Sequence, residues 1–136
     1  MKKIMVVVLM FCFFQSLKAQ NLETKPTIID QNIIYNSSGV EVQPIFPGGM
    51  KEFYHFIGKN YKTPDIAGLK GKVLISFIIE KDGSITDIKV LKDIGYGTGN
   101  EATRVLNLSP KWTPAEQNGK TVRCAYVLPI AIETSK

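Results

Sequence analysis

Cys124, His55 and a scatter of acidic residues are the side chains of this chain that could carry bond chemistry. A thiol and an imidazole in contact would supply a nucleophile and its base. Cys124, however, lies in an alternating apolar run, and His55 lies between Tyr54 and Phe56 of a helical pattern. Nothing in their spacing brings them together, and Cys124 reads as a small hydrophobe on the inner face of a strand. The acids fall singly. Asp82 and Asp87 flank a turn, but a calcium loop needs several more oxygen ligands in register, and no Ser/His/Asp set can be assembled. Gly95-Tyr96-Gly97-Thr98-Gly99 sits between a strand and a helix, where phosphate-binding loops sit. The dinucleotide fingerprint needs glycine where Asn100 stands, and a P-loop needs Gly-Lys-Ser/Thr. The segment is therefore read as a structural connection whose glycines permit positive φ and close backbone approach. Together these readings point away from an enzyme, a cofactor and a bound metal. Trp112, the single tryptophan, reads either as a core or lid residue or as part of a peptide-binding surface, and one aromatic can do both.

The elements that would position these residues follow from periodicity. Pro47-Gly48-Gly49 breaks the chain ahead of a helix over about 48–60. Its stripe is Met50, Phe53, Tyr54, Ile57 and Tyr61, at the i, i+3, i+4, i+7 spacing, and Pro64 forbids continuation. Val73, Ile75, Phe77 and Ile79 alternate with Leu74, Ser76, Ile78 and Glu80, as in a central strand. Asp82-Gly83 supplies a hairpin turn, and Thr86, Ile88 and Val90 alternate with Asp87 and Lys89 in the returning strand. Thr98 and Glu101 match a capping box opening a second helix, with Ala102, Val105 and Leu106 inward, which Pro110 ends by about 109. After the Asn118-Gly119 turn a long strand runs from Thr121 to Ile132. Val122, Cys124, Tyr126, Leu128, Ile130 and Ile132 share one face, and Arg123, Ala125, Val127, Pro129 and Ala131 the other. The fold class is α+β in the order αββαβ: a three-stranded antiparallel sheet with both helices on one face.

The first 43 residues are of a different kind. Lys2 and Lys3 precede the apolar run Ile4–Phe14, and Ala19 stands before Gln20, so residues 1–19 read as a secretory signal peptide. An uncleaved anchor is the alternative, but a bilayer core needs about 20 apolar residues. Residues 20–43 form an N-terminal extension in which Ile28-Ile29 and Ile33-Ile34-Tyr35 either make a short strand or pack on the domain of residues 44–136. The net charge of +5 falls to +2 without the three leader lysines, which excludes the basic stripe of a nucleic-acid binder. Cys12 departs with the leader, so Cys124 has no disulfide partner within the chain. Export from the cytoplasm is the expectation for such a leader.

The last strand stands out. Pro129 cannot donate to a ladder, so one side of the strand lies at a sheet edge there. A long exposed edge is a liability unless it is blunted or used, and its use would be strand addition by a partner's extended segment. A homodimer through the same edge, with the domain acting as a structural module, is the alternative.

One ordered set of motifs runs through the domain: Phe46-Pro47-Gly48-Gly49, Pro64 with Ala67, Gly71-Lys72-Val73, Asp82-Gly83-Ser84, Gly95-Tyr96-Gly97-Thr98-Gly99, Glu101-Ala102 with Arg104, Pro110-Lys111-Trp112 with Pro114, Asn118-Gly119-Lys120 and Leu128-Pro129-Ile130. Over roughly residues 44–132 it resembles the C-terminal domain of the energy transducer TonB. The resemblance implies a periplasmic domain of a Gram-negative cell envelope that captures the TonB box, a short segment of outer-membrane TonB-dependent receptors, as a strand beside its last strand. It implies a link to TonB-dependent transmembrane transport. By position, the partner strand would meet Val122, Arg123, Cys124, Ala125, Tyr126, Val127, Leu128 and Ile130. Tyr61, Thr63, Pro64 and Ala67 stand where the family has its Tyr-Pro motif near the bound box, although here Thr63 precedes the proline. Full transducers carry a membrane-spanning helix and a long Pro-rich spacer. Here about 24 residues precede the domain, a reach of at most about 80 Å. The expectation is a stand-alone exported domain, with ExbB/ExbD-type motor proteins as partners only if the chain is membrane-anchored.

Overall fold

The computed structural model describes residues 32–135. The signal peptide, Cys12 and Ile28-Ile29 lie outside the described residues. The elements are β1 (Ile34–Asn36), α1 (Met50–Asn60), β2 (Lys70–Ile79), β3 (Ile85–Lys92), α2 (Thr98–Asn107), β4 (Ala115–Gln117) and β5 (Lys120–Glu133). The expected αββαβ frame is present. Around it the sheet carries two further short strands, in the order β1-β5-β2-β3 with β4 also paired to β5. β2 and β5 run antiparallel through unbroken register from Lys70↔Glu133 to Ile79↔Cys124. β1 joins β5 in parallel, so the sheet is mixed. β4 forms because Asn118 (φ 53°) and Gly119 (φ 74°) both take positive φ, the geometry of a two-residue hairpin, and Gln117 then meets Lys120.

One face of the sheet is dry. Val73, Ile75, Phe77 and Ile79 of β2 and Leu128, Ile130 and Ile132 of β5 form a single core with Phe53 and Ile57 of α1 and Ala102, Val105 and Leu106 of α2. These residues follow the strand and helix periods of the sequence, and their burial is the main driving force of the fold. Met50 and Tyr54, expected in the same α1 stripe, remain 39% and 57% exposed. The β2–β3 hairpin carries a bulge: Asp87 adopts φ 50° and the register shifts between Ser76 and Ile78, so β3 does not alternate simply through that point.

The capping box does not form. Gly97, at φ 75°, caps α2 with no side-chain bond. Thr98 Oγ1 donates to the Gly95 carbonyl, and the Glu101 carboxylate is taken by Arg104 and by the Lys62 amide. A stronger cationic donor and a backbone N–H from the segment after α1 outcompete the local cap.

Trp112 lies at the centre of the packing. It is 2% exposed, with ring centroids 5.5 Å from Phe46, 4.7 Å from Phe53, 6.0 Å from Phe77 and 5.7 Å from Tyr126. Its backbone N–H donates to the Gly83 carbonyl at 2.8 Å, which fastens the β2–β3 turn to the segment before β4. Gly83 has φ 87°, and a Cβ there would sit 1.9 Å from the Trp112 carbonyl oxygen. Gly83→Ala is expected to lower stability by about 2–4 kcal/mol, through left-handed strain plus displacement of Trp112. Gly58, inside α1 with nothing within 4 Å of its added Cβ, is the contrast: Gly58→Ala should raise stability by about 0.5–1 kcal/mol. Urea unfolding of both variants checks the pair.

Candidate functional site

β5 has two unlike sides. Toward β2 it is fully paired from Cys124 to Glu133. On its other side it meets β1 over Arg123, Cys124 and Ala125, opposite Ile34, Tyr35 and Asn36. The Ser37 amide donates to the Ala125 carbonyl at 3.1 Å. Beyond Ala125 no described strand lies on that side. Backbone groups of a strand alternate sides, so Val127, Pro129 and Ala131 point their polar groups the same way as Ala125. Pro129 thus lacks an N–H at a position where no ladder bond is lost, and Val127 and Ala131 present both donor and acceptor outward. The expected partner edge is therefore divided. Val122 pairs with Ala115 of β4, Arg123 to Ala125 are occupied by β1, and Tyr126, Val127, Leu128 and Ile130 lie along the open stretch.

The open stretch is firmly held from behind. Arg123 clamps Glu80, with Nε to Oε1 at 2.7 Å and Nη2 to Oε2 at 3.1 Å, which ties β5 to the end of β2. Arg123 depresses the Glu80 carboxyl below its usual range, chiefly through the side-chain hydrogen bond. Tyr126 stacks on Phe77 at 5.4 Å, and its hydroxyl donates to Met50 Sδ at 3.6 Å. Beside Tyr126 an open cleft of about 440 Å³ is lined by Val42, Ile45, Met50, Glu41 and Gln43 among others. Val42 and Ile45 are 41% and 48% exposed, although their backbones are fixed by mutual bonds to Glu116 and Thr113. An unpaired edge next to a rigid, mostly apolar cleft can accept an extended peptide through its backbone and receive one apolar side chain.

The Tyr61–Ala67 segment is tied to α2 at one end and to the C-terminal end of β5 at the other. The Tyr61 hydroxyl donates to the Thr98 carbonyl at 2.8 Å, and burial, then the charges of Glu101 and Asp93, push its pKa up to about 12. The phenol is thus engaged in holding α1 to α2. Thr63 and Ala67 are exposed and Pro64 is half-buried. Downstream, the Ile66 carbonyl accepts from Thr134 Oγ1 and Gly68 N–H donates to the Ser135 carbonyl, so the loop ends beside the C-terminus of β5.

His55 is exposed on α1, whereas Cys124 is fully buried and burial pushes its thiol pKa up. That keeps the sulfur protonated and shielded from solvent. Among the described residues no three His, Cys, Asp or Glu side chains gather as a metal site. Sequence reading missed the cleft residues Val42, Ile45 and Met50. The available signal was their apolar character in a segment that also carries the Phe46-Pro47-Gly48-Gly49 break. What they face was not readable.

The profile described as "Gram-negative bacterial TonB protein C-terminal" matches residues 65–132, half of the chain. Protein TonB of Helicobacter pylori is 46% identical over 100 residues, which cover 65% of this chain and 34% of that protein. Protein TonB of a second strain is 46% identical over 59 residues, covering 38% of this chain and 21% of the relative. This chain thus corresponds to about a third or less of those relatives. The solution structure of the Helicobacter pylori TonB C-terminal domain aligns with a TM-score of 0.45 at 28% identity, over 66% of this chain and 88% of that one.

Two outcomes follow from the site's scaffold. Tyr61→Phe should cost about 1 kcal/mol, the worth of one hydrogen bond, and leave the open edge unchanged in amide spectra. Glu80 and Glu101 both titrate below their usual 4.5, held down first by Arg123 and by Arg104 respectively. On acidification the unfolded chain protonates first. Their stabilisation is therefore complete above about pH 5 and lost as pH falls through the folded values. A Glu80→Gln, Glu101→Gln variant should show a flatter fall in stability between about pH 5 and pH 3 than the parent. Urea midpoints across that range decide, and parallel slopes would count against the assignment.

Proposed function

Because this chain belongs to the family of C-terminal domains of the Gram-negative bacterial TonB protein, we propose that it is a receiving module of the cell envelope. It takes the box segment of outer-membrane TonB-dependent receptors as an added strand and so takes part in TonB-dependent transport. The observation that carries this reading is the open edge from Val127 to Glu133, with outward backbone groups at Val127, Pro129 and Ala131 and the Val42–Ile45–Met50–Tyr126 cleft beside it. Backbone bonding gives affinity without demanding a particular sequence, and the cleft adds preference for an apolar side chain. In this reading the domain works in the periplasm. Among the described residues no helix is long and apolar enough to cross a membrane. Contact with ExbB/ExbD-type motor proteins would require anchoring by another segment.

Self-association through the same edge is the second reading, favoured by Val127, which is 54% exposed on the edge strand. Sedimentation at increasing concentration separates the two, since a monomer at all concentrations removes the second.

The geometry makes a specific demand. The Val127 N–H faces outward, so Val127→Pro should leave the β2–β5 ladder intact, as Pro129 does. It should also weaken a receptor box peptide by about tenfold, through loss of one backbone bond and clash of the ring with the added strand. Leu128→Pro, whose N–H faces β2, should instead unfold the domain or cost about 3 kcal/mol or more. Titration of the ¹⁵N-labelled chain with a box peptide reads both the fold and the footprint. Unchanged affinity in Val127→Pro would sink the edge reading.

A further inference from the structure

β1 is three residues long and sits on the same side of β5 as the open stretch, directly upstream of it. Its hold is slight. It has three residue pairs with Arg123, Cys124 and Ala125; Ile34 and the preceding Ile33 are each 44% exposed, and of its three side chains only Tyr35 is half-buried. Little hydrophobic burial therefore secures it, and short strands held mainly by backbone bonds open at the low end of a protein's free-energy range. It also ends abruptly. Asn36 Oδ1 accepts from the Ser38 amide at 3.0 Å and the Ser38 hydroxyl at 2.9 Å, and Gly39 N–H donates to the Asn36 carbonyl. This turn carries the chain off the edge, and beyond Ala125 the edge lies open. The strand beneath does not depend on β1 for its place, because Arg123 is clamped to Glu80 and β5 is paired to β2 through Cys124.

We propose that β1 is a built-in, displaceable occupant of the acceptor edge. Ile34–Asn36 covers Arg123–Ala125 while no partner is bound, and an extended segment that displaces it gains an acceptor running from Arg123 to Glu133. The inference rests on the strand-addition reading and adds a threshold to it. A segment that pairs only with Val127–Glu133 binds without cost to β1, whereas a longer one must first release an intramolecular competitor, and its apparent affinity falls by the released fraction. β1 thereby also shields the backbone groups of Arg123 and Ala125 from adventitious pairing.

The test uses the full chain with Cys12→Ser and, as probe, a synthetic peptide of residues 31–39. Tyr35 and Cys124 are register partners, and neighbouring strands place their Cα atoms about 5 Å apart, within disulfide reach. Tyr35→Cys therefore allows β1 to be locked by oxidation onto the native Cys124 and released by reduction. Ser37→Pro removes the donor to Ala125 and loosens β1 without a lock. Expected results are probe-induced amide shifts at Arg123–Ala125 that are absent in the oxidised lock and return on reduction. In Ser37→Pro the same shifts should appear at about tenfold lower peptide concentration than in the parent. In the parent, the Ser37 and Ala125 amides should exchange with deuterium at least about a hundredfold faster than those of Cys124 and Leu128. Equal protection of these amides, or Arg123–Ala125 shifts that persist in the oxidised lock, or none in a folded Ser37→Pro chain at millimolar peptide, overturns the proposal. None of these readouts uses a receptor segment, so failure of a box peptide to bind would strike the proposed function and leave this result standing.

Discussion

The packing of Trp112 is the constraint on which the rest of the domain depends. Its indole is enclosed by Phe46, Phe53, Phe77 and Tyr126, one residue from each part of the chain that must meet: the entry to α1, α1 itself, β2 and β5. Its backbone is bonded at the same time to the β2–β3 turn through Gly83. A single buried aromatic thus fixes the distance from helix to sheet and from turn to edge. Large aromatic side chains can do this because they bury much area in one rigid body and meet neighbours edge-on. Of the two sequence readings of Trp112, the core reading holds. Its link to the surface is indirect, through Tyr126, which it supports and which lines the cleft.

From that anchor the asymmetry of β5 follows. One side of the strand is consumed by β2 and locked by the Arg123–Glu80 clamp. The other is covered by β1 only over Arg123–Ala125 and is open beyond it. Pro129 stands at an outward position, where it blunts the edge against indiscriminate pairing yet leaves its carbonyl available. Under the proposed strand-acceptor reading, the edge has to admit a partner's strand and refuse others, and this arrangement meets both demands. Backbone pairing itself does not discriminate, so preference has to come from shortness, interruption and the adjoining cleft.

Much of the frame was legible in the residues. The β2–β3 hairpin announced itself through Asp82-Gly83 and two alternating runs, and β5 through one long alternation whose inner face matches the buried set. Of the α1 stripe, Phe53 and Ile57 are buried, whereas Met50 lines the cleft and Tyr54 stays exposed. Periodicity reports which residues share a helix face and not how wide a stripe the sheet covers. The capping box at Thr98 and Glu101 failed for a related reason, since Arg104 and the Lys62 amide, brought in by the α1–α2 packing, took the carboxylate instead. The Asn118-Gly119 signal pointed to a turn, and its consequence, the short strand β4, was visible only with both flanking segments in place.

The sequence by itself determined the α+β class, the order of the main elements, the inner and outer faces of β5 and the presence of an edge at Pro129. These are local matters of period, turn chemistry and a missing N–H. Only the tertiary structure decided which part of that edge is open, that β1 lies along the rest of it, and that Val42, Ile45 and Met50 form a cleft beside Tyr126. Strand pairing between segments nearly ninety residues apart in the chain leaves no mark on either segment alone, because any extended backbone offers the same donors and acceptors. The choice among them is made by the packing that brings them together.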